Sequence, residues 1–87
     1  MEIEDWRKQI DELNQELIVL LNRRARCATE IGKIKKQKGL PVLDASRESA
    51  VLNHVGTMAK DAGGPFSEDS IKNIFKTIME ETRKVEI

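Results

Sequence analysis

The sequence has little of what secreted, membrane-spanning or nucleic-acid-binding proteins usually carry. It contains one cysteine, so no disulfide can form within the chain, and this is typical of a reducing, cytoplasmic environment. No stretch approaches the roughly 20 consecutive apolar residues that cross a membrane. Fifteen basic residues cancel fifteen acidic ones, and the only aromatic residues are one tryptophan and two phenylalanines. Neither a membrane nor a nucleic acid is therefore an expected partner.

Prolines and glycines are also few, and they cluster at two places that divide the 87 residues into three helices. The first helix is predicted from about Ile3 to Lys38, ended by Gly39. The second covers about residues 46 to 61, and the third begins after Ser67, its expected N-cap. We therefore expect a single all-α domain over residues 1–87, without strands. The inward stripes of the two later helices are expected to be Val51, Leu52, Val55, Met58 and Ala59, and Ile71, Ile74, Phe75, Ile78, Thr82 and Val85.

The first helix has an apolar seam, meaning the face formed by residues spaced alternately four and three apart. Such a face is normally buried against another helix. Cys27 is expected there as a small core residue, but Arg24 stands out because a buried guanidinium without a partner costs several kcal/mol. Arg24 must either pair with an acidic side chain or bind an anionic ligand. The seam consists of Trp6, Ile10, Leu13, Leu17, Leu20, Arg24, Cys27, Ile31 and Ile34.

The length of the first helix indicates a second chain. About 36 residues make a rod of about 54 Å, whereas a compact domain of this size is about 30 Å across. Two short helices cannot cover such a seam. An intertwined homodimer is the favoured architecture, and the alternative is a monomeric three-helix bundle with a partly frayed first helix.

Arg24 and Lys35 point in the same direction because eleven residues amount to three helical turns and about 20°. The surface between them is small at Ala28 and apolar at Ile31. Two cations around an apolar floor suit a small dianion, which arginine binds through a two-pronged fork and lysine as a point charge. The alternative is a solvated Lys35 and an Arg24 that pairs with a glutamate.

A second polar cluster follows the first helix. Asp44, Arg47 and Glu48 fall within five residues at a predicted helix start. Glu48 could accept a hydrogen bond from a ligand hydroxyl and Arg47 could bind a carboxylate, or the cluster is only a capped first turn with a surface ion pair. Arg7 lies about 25 Å along the rod from Arg24, so it reaches the same ligand only in an antiparallel pair of chains.

Nearly the whole chain resembles the all-helical (type II) chorismate mutases. The resemblance rests on an arginine near the start, Arg-x10-Lys, Lys-x8-Asp, the D-x-x-R-E cluster and polar residues in the last helix. It is carried by the stretches WRKQIDELNQELIVLLNRR, IGKIKKQKGLPVLDASRE and IFKTIMEETRKVE. It implies an intertwined homodimer with shared active sites that converts chorismate to prephenate without a cofactor or a metal ion.

The resemblance also implies which residues bind the substrate. Arg7 of one chain and Arg24 of the other would hold its two carboxylates. Lys35 would contact a carboxylate and the ether oxygen. Glu86 would serve the ether oxygen as well, but a carboxyl group donates a hydrogen bond only when it is protonated, so activity would fall as the pH rises.

The remaining implied contacts come from the second and third helices. The backbone of Asp44 and the side chain of Glu48 would take the ring hydroxyl, with Arg47 supporting a carboxylate. Thr82 stands where the family often has serine, and Glu86 where it has glutamine or glutamate. Glu86 is the penultimate residue, where chain ends fray. If Glu86 is disordered, Lys35 would be the only group that contacts the ether oxygen.

Three other readings remain open. An isochorismate pyruvate lyase would share the fold and the arginines. A non-catalytic dimerisation module, or a domain that binds a related metabolite for regulation, would share the seam but would not need Arg24 and Lys35 in phase. The chain could also be one domain of a larger enzyme of aromatic amino-acid synthesis.

Overall fold

The computed structural model describes all 87 residues and contains three helices and no strands. Helix α1 spans Ile3–Lys38, α2 spans Ala45–Ala62 and α3 spans Glu68–Arg83. The all-helical prediction is confirmed, and the bounds of α1 are those that its periodicity predicts. None of the three helices combines the length and the apolar composition that crossing a membrane requires.

The helix ends follow from single residues. Gly39 and Gly63 end α1 and α2 in the left-handed conformation, with φ of 69° and 62°, which glycine adopts without steric cost. The Asp44 side chain caps α2 by accepting a hydrogen bond from the backbone N–H of Arg47 at 3.0 Å. Ser67 caps α3 in the same way through the backbone N–H of Ser70, at 3.1 Å.

Helices α2 and α3 pack against each other as a hairpin, and α3 also contacts α1. The buried apolar residues are Ala28, Val55 and Met79, one from each helix. Three predicted inward positions are wrong, since Met58, Ile74 and Val85 are exposed. Met79, which lies outside the predicted stripe, is buried instead. Helix α3 packs against both α1 and α2, whereas the predicted stripe describes only one buried face.

The buried Gly32 of α1 marks a close approach between two backbones. A Cβ atom built there would lie 2.7 Å from the Cα and the carbonyl carbon of Glu86, closer than real Cβ atoms come. The C-terminal segment therefore crosses α1 at a point that only glycine leaves open.

The N-terminal half of α1 has no cover within the chain. The molecule measures 54 × 25 × 15 Å, so the rod extends beyond the rest of the fold, as its length predicts. Every residue from 1 to 23 is exposed. The seam residues there are each 54% exposed, namely Trp6, Ile10, Leu13, Leu17 and Leu20.

Candidate functional site

A cavity of about 340 Å³ lies between the C-terminal half of α1, the loop that follows it, the start of α2 and the end of α3. Its floor includes Ala28 and Ile31, the residues predicted to separate the two cations. Seven of the eight residues predicted to bind a ligand line it together. They are Arg24, Lys35, Asp44, Arg47, Glu48, Thr82 and Glu86.

Arg24 has no acidic partner in the chain. Its guanidinium donates one hydrogen bond, from Nη1 to the hydroxyl oxygen of Thr82, at 2.8 Å, and it forms no salt bridge. The Thr82 hydroxyl in turn donates to the carbonyl of Ile78, within its own helix. Because a guanidinium has five N–H donors in a fixed fork, Thr82 orients Arg24 and leaves donors for an anion.

Lys35 is held by two acceptors. Its Nζ atom donates to the carbonyl of Val42 and to the carboxylate of Glu86, both at 2.7 Å. The side chains of this ion pair are only 17% and 10% exposed. An ammonium has three donors, so one N–H of Lys35 is left for a ligand in the cavity.

Glu86 lies beyond the end of α3, not within the last helix as the sequence suggests. The backbone continues as a turn through Lys84 and Val85, in which the N–H of Glu86 donates to the carbonyl of Arg83. The ion pair with Lys35 and the close contact between the Glu86 backbone and Gly32 hold this segment in place. The penultimate residue is thus anchored on both its side chain and its backbone.

The polar cluster at the start of α2 lines the opposite side of the cavity. The carboxylate of Asp44 is used in capping, while the backbone N–H of Asp44 donates to no acceptor in the chain. The guanidinium of Arg47 is exposed and has no carboxylate partner. Glu48 faces the cavity from the first turn of α2.

Arg83 is a partner of the site that the sequence did not indicate. Its Nη1 atom donates to both carboxylate oxygens of Glu48, at 2.7 and 2.8 Å. This hydrogen bond is the largest cause that raises the pKa of Arg83 above its ordinary value. The two residues are 35 positions apart in different helices, and only the packing of α2 on α3 brings them together.

Cys27 is the other side chain for which the sequence gives a prediction. Cys27 is exposed and lines the cavity, so its prediction as a core residue is wrong. Cys27 stays exposed because the covered face of α1 is the adjoining one, where Ala28 and Gly32 are buried by α3 and the C-terminal segment.

Arg7 is the predicted site residue that does not reach the cavity. It lies in the second turn of α1, where its side chain is 66% exposed and pairs with Glu4 at 2.7 Å. No group of three or more His, Cys, Asp or Glu side chains is arranged to hold a metal ion.

These features define a class of protein: an all-helical chain with a rod-like first helix and a small cavity whose polar and charged groups come from all three helices and the C-terminal segment. The chain belongs to the family described as Chorismate mutase type II, whose profile matches residues 6–87.

One solved structure and one relative of similar length support the same relationship. Over 97% of its length, the chain superimposes on 92% of a chorismate mutase (Form II) from Thermus thermophilus, with a TM-score of 0.90 and 33% identity. It is also 26% identical over 80 residues to a chorismate mutase from Methanocaldococcus jannaschii, covering 79% of that protein.

Longer relatives contain a similar segment. The chain is 33% identical over 79 residues to a bifunctional chorismate mutase/prephenate dehydratase from Aquifex aeolicus, and 36% identical over 80 residues to the T-protein of Haemophilus influenzae. These matches cover 90% and 92% of the chain. The chain spans about a fifth of the length of these two relatives, 22% and 21% respectively.

Proposed function

We propose that residues 1–87 form a chorismate mutase domain that rearranges chorismate to prephenate, a step of phenylalanine and tyrosine biosynthesis, in the cytoplasm. Family membership supports the reaction. The free thiol of Cys27 suits a reducing compartment. The reaction is intramolecular: the ether C–O bond breaks while a new C–C bond forms, so neither a nucleophile nor a cofactor is needed.

The observation that carries the proposal is the unpaired charge of Arg24. Chorismate has two carboxylates, and the cavity offers a half-buried guanidinium whose only hydrogen-bond partner is the neutral hydroxyl of Thr82. A cation that a folded chain leaves without a carboxylate is suited to receive one from a ligand. If Arg24 were present only for stability, we would expect an acidic partner.

Lys35 and Glu86 are suited to act at the ether oxygen. Negative charge develops on that oxygen as the C–O bond breaks, and donors fixed in advance stabilise it without reorganising. The remaining N–H of Lys35 is fixed in this sense, because Val42 and Glu86 hold the other two. A protonated Glu86 would supply a second donor.

The ring hydroxyl and the second carboxylate fit the other side of the cavity. The free backbone N–H of Asp44 can donate to the hydroxyl, and the carboxylate of Glu48 can accept from it. Arg47, which has no partner in the chain, is placed to support a carboxylate. Together these contacts would hold the flexible side chain of chorismate over its ring, which lowers the entropic part of the barrier.

We also propose that two chains intertwine and that each active site takes Arg7 from the partner chain. Leu17, Ile18, Val19, Leu20 and Leu21 are all exposed, on every side of α1. A surface of this kind marks an interaction site. In an antiparallel pair of α1 helices that cross near residue 16, Arg7 of one chain would approach Arg24 of the other.

The domain could stand alone or be joined to a further enzyme. The relatives from Aquifex aeolicus and Haemophilus influenzae favour a fused arrangement, whereas that from Methanocaldococcus jannaschii is little longer than the chain. An isochorismate pyruvate lyase remains the second candidate because the arginines would serve both substrates. The D-x-x-R-E cluster and the pair of Thr82 and Glu86 favour the mutase.

The test is the loss of chorismate absorbance with the wild type, Arg24→Ala and Arg23→Ala. Arg23 is exposed on the same helix and provides a matched control. We expect conversion to prephenate by the wild type, a fall in kcat/KM of about a hundredfold or more for Arg24→Ala, and less than about twofold for Arg23→Ala. A wild type that leaves chorismate intact and forms pyruvate from isochorismate would favour the lyase.

A further inference from the structure

The ion pair between Arg83 and Glu48 joins the end of α3 to the start of α2. It is partly buried, with the two side chains 33% and 25% exposed. Glu48 lines the cavity, whereas Arg83 approaches it from outside. The pair therefore places a fixed support behind a carboxylate that faces the ligand.

Each of the three carboxylates that line the cavity has a different partner. Asp44 accepts from the backbone N–H of Arg47, and Glu86 accepts from Lys35. Glu48 is the one whose partner is a side chain outside the cavity. Without that partner, the flexible Glu48 side chain would be free to turn toward the unpaired guanidinium groups of Arg24 and Arg47.

The geometry leaves Glu48 able to bind a hydroxyl. A carboxylate has about four lone-pair positions on its two oxygens. A single nitrogen of Arg83 occupies one position on each oxygen. About two positions are left for the cavity side, and the orientation of the carboxylate plane is set by Arg83.

We propose that Arg83 is a positioning residue for the substrate: it holds the Glu48 carboxylate where it accepts the ring hydroxyl and keeps it from neutralising Arg24 and Arg47. This inference rests on the proposed mutase function. Arg83 acts through Glu48 and touches no reacting atom. Its loss should therefore weaken substrate binding more than it slows the chemical step.

The experiment compares Arg83→Met and Arg83→Lys with Lys84→Met, by measuring KM and kcat for chorismate together with the thermal unfolding midpoint. Lys84 is the matched control, since it forms a surface ion pair with Glu81 at 2.8 Å and lies away from the cavity. Lysine keeps the charge of residue 83 and one donor, so it gives a folded variant with a weakened pair if methionine prevents folding. Together with the wild type and Arg83→Met, Glu48→Ala and the double variant Glu48→Ala/Arg83→Met form a double-mutant cycle.

We expect Arg83→Met to raise KM about tenfold while kcat changes less than about threefold, with Arg83→Lys recovering part of the loss and Lys84→Met matching the wild type. In the Glu48→Ala background, Arg83→Met should have no further effect on KM. A folded residue-83 variant with a lower unfolding midpoint and an unchanged KM would overturn the inference, as would additive effects in the cycle. If the wild type does not convert chorismate at all, the proposed function has failed, and that result is distinct from either of these.

Discussion

The two halves of α1 carry one continuous apolar repeat, yet only the C-terminal half is packed within the chain. Ala28 and Gly32 are buried there by α3 and by the C-terminal segment. In the N-terminal half, Trp6, Leu13 and Leu17 are each 54% exposed. The repeat thus identifies a face that is suited to burial, but it does not say whether the same chain or another one covers it.

The largest effect is expected from a charge placed in the uncovered half. Leu17→Lys should abolish association and activity together, because an unpaired ammonium in an apolar interface costs several kcal/mol in each chain. Sedimentation velocity and the chorismate assay measure the two effects. Asn22→Lys is the matched control, because residue 22 is exposed and lies about 140° around the helix from Leu17. A Leu17→Lys dimer with full activity would contradict the shared interface.

A second prediction joins the two halves directly. Arg7→Ala and Arg24→Ala should each lower kcat/KM by about a hundredfold or more. If each site takes Arg7 from one chain and Arg24 from the other, mixed dimers contain one intact site. Unfolding and refolding the two variants together should then restore about a quarter of the wild-type activity. Refolding each variant alone is the control, and a mixture no more active than its components would show that no site combines Arg7 of one chain with Arg24 of the other.

A third prediction concerns the covered half, at Gly32. Gly32→Ala should lower kcat/KM about tenfold by displacing Glu86 from Lys35, although alanine favours the helix by about 1 kcal/mol. Gly56→Ala is the control, since a Cβ there meets only the movable side chains of Lys72 and Glu68. Steady-state kinetics and thermal unfolding should separate the two glycines. Equal kinetics for both variants would show that the contact between Glu86 and Gly32 does not affect catalysis.

The smallest effect is expected from Glu86→Gln. Glutamine can accept from Lys35 through its carbonyl oxygen and donate through its amide at any pH. Because the carboxylate that pairs with Lys35 cannot donate, we expect Glu86→Gln to raise kcat/KM by a few fold. Steady-state kinetics of both proteins at one pH and matched ionic strength measure the difference. A variant no faster than the wild type would show that a donor at residue 86 does not serve the ether oxygen.

The sequence predicts the elements of the fold better than the contacts between them. The bounds of α1 follow from its periodicity and Gly39, and the caps at Asp44 and Ser67 follow from local chemistry. The convergence of Arg24 and Lys35 on one cavity also follows, because helical phase is a local property. Their roles in catalysis stay a prediction.

What the sequence could not supply depends on how the helices pack. Two contacts join residues that are far apart in the chain: the ion pair of Glu48 with Arg83, and the backbone contact of Glu86 with Gly32. No spacing rule connects such residues. The repeat misplaces Cys27 for a related reason, since it continues through this residue while the covering helix contacts the adjoining face.

The charges that line the cavity have a consequence for how a ligand arrives. Three cationic side chains face three acidic ones, so the formal charge of the lining is zero, as it is for the whole chain. Such an arrangement creates strong fields at contact distance but little attraction beyond a Debye length, about 8 Å at physiological ionic strength. Chorismate would therefore be attracted at long range by little more than the single positive charge that Arg7 of the second chain adds in the proposed dimer. Its association rate should depend only weakly on salt, even though its bound state would consist largely of ionic contacts.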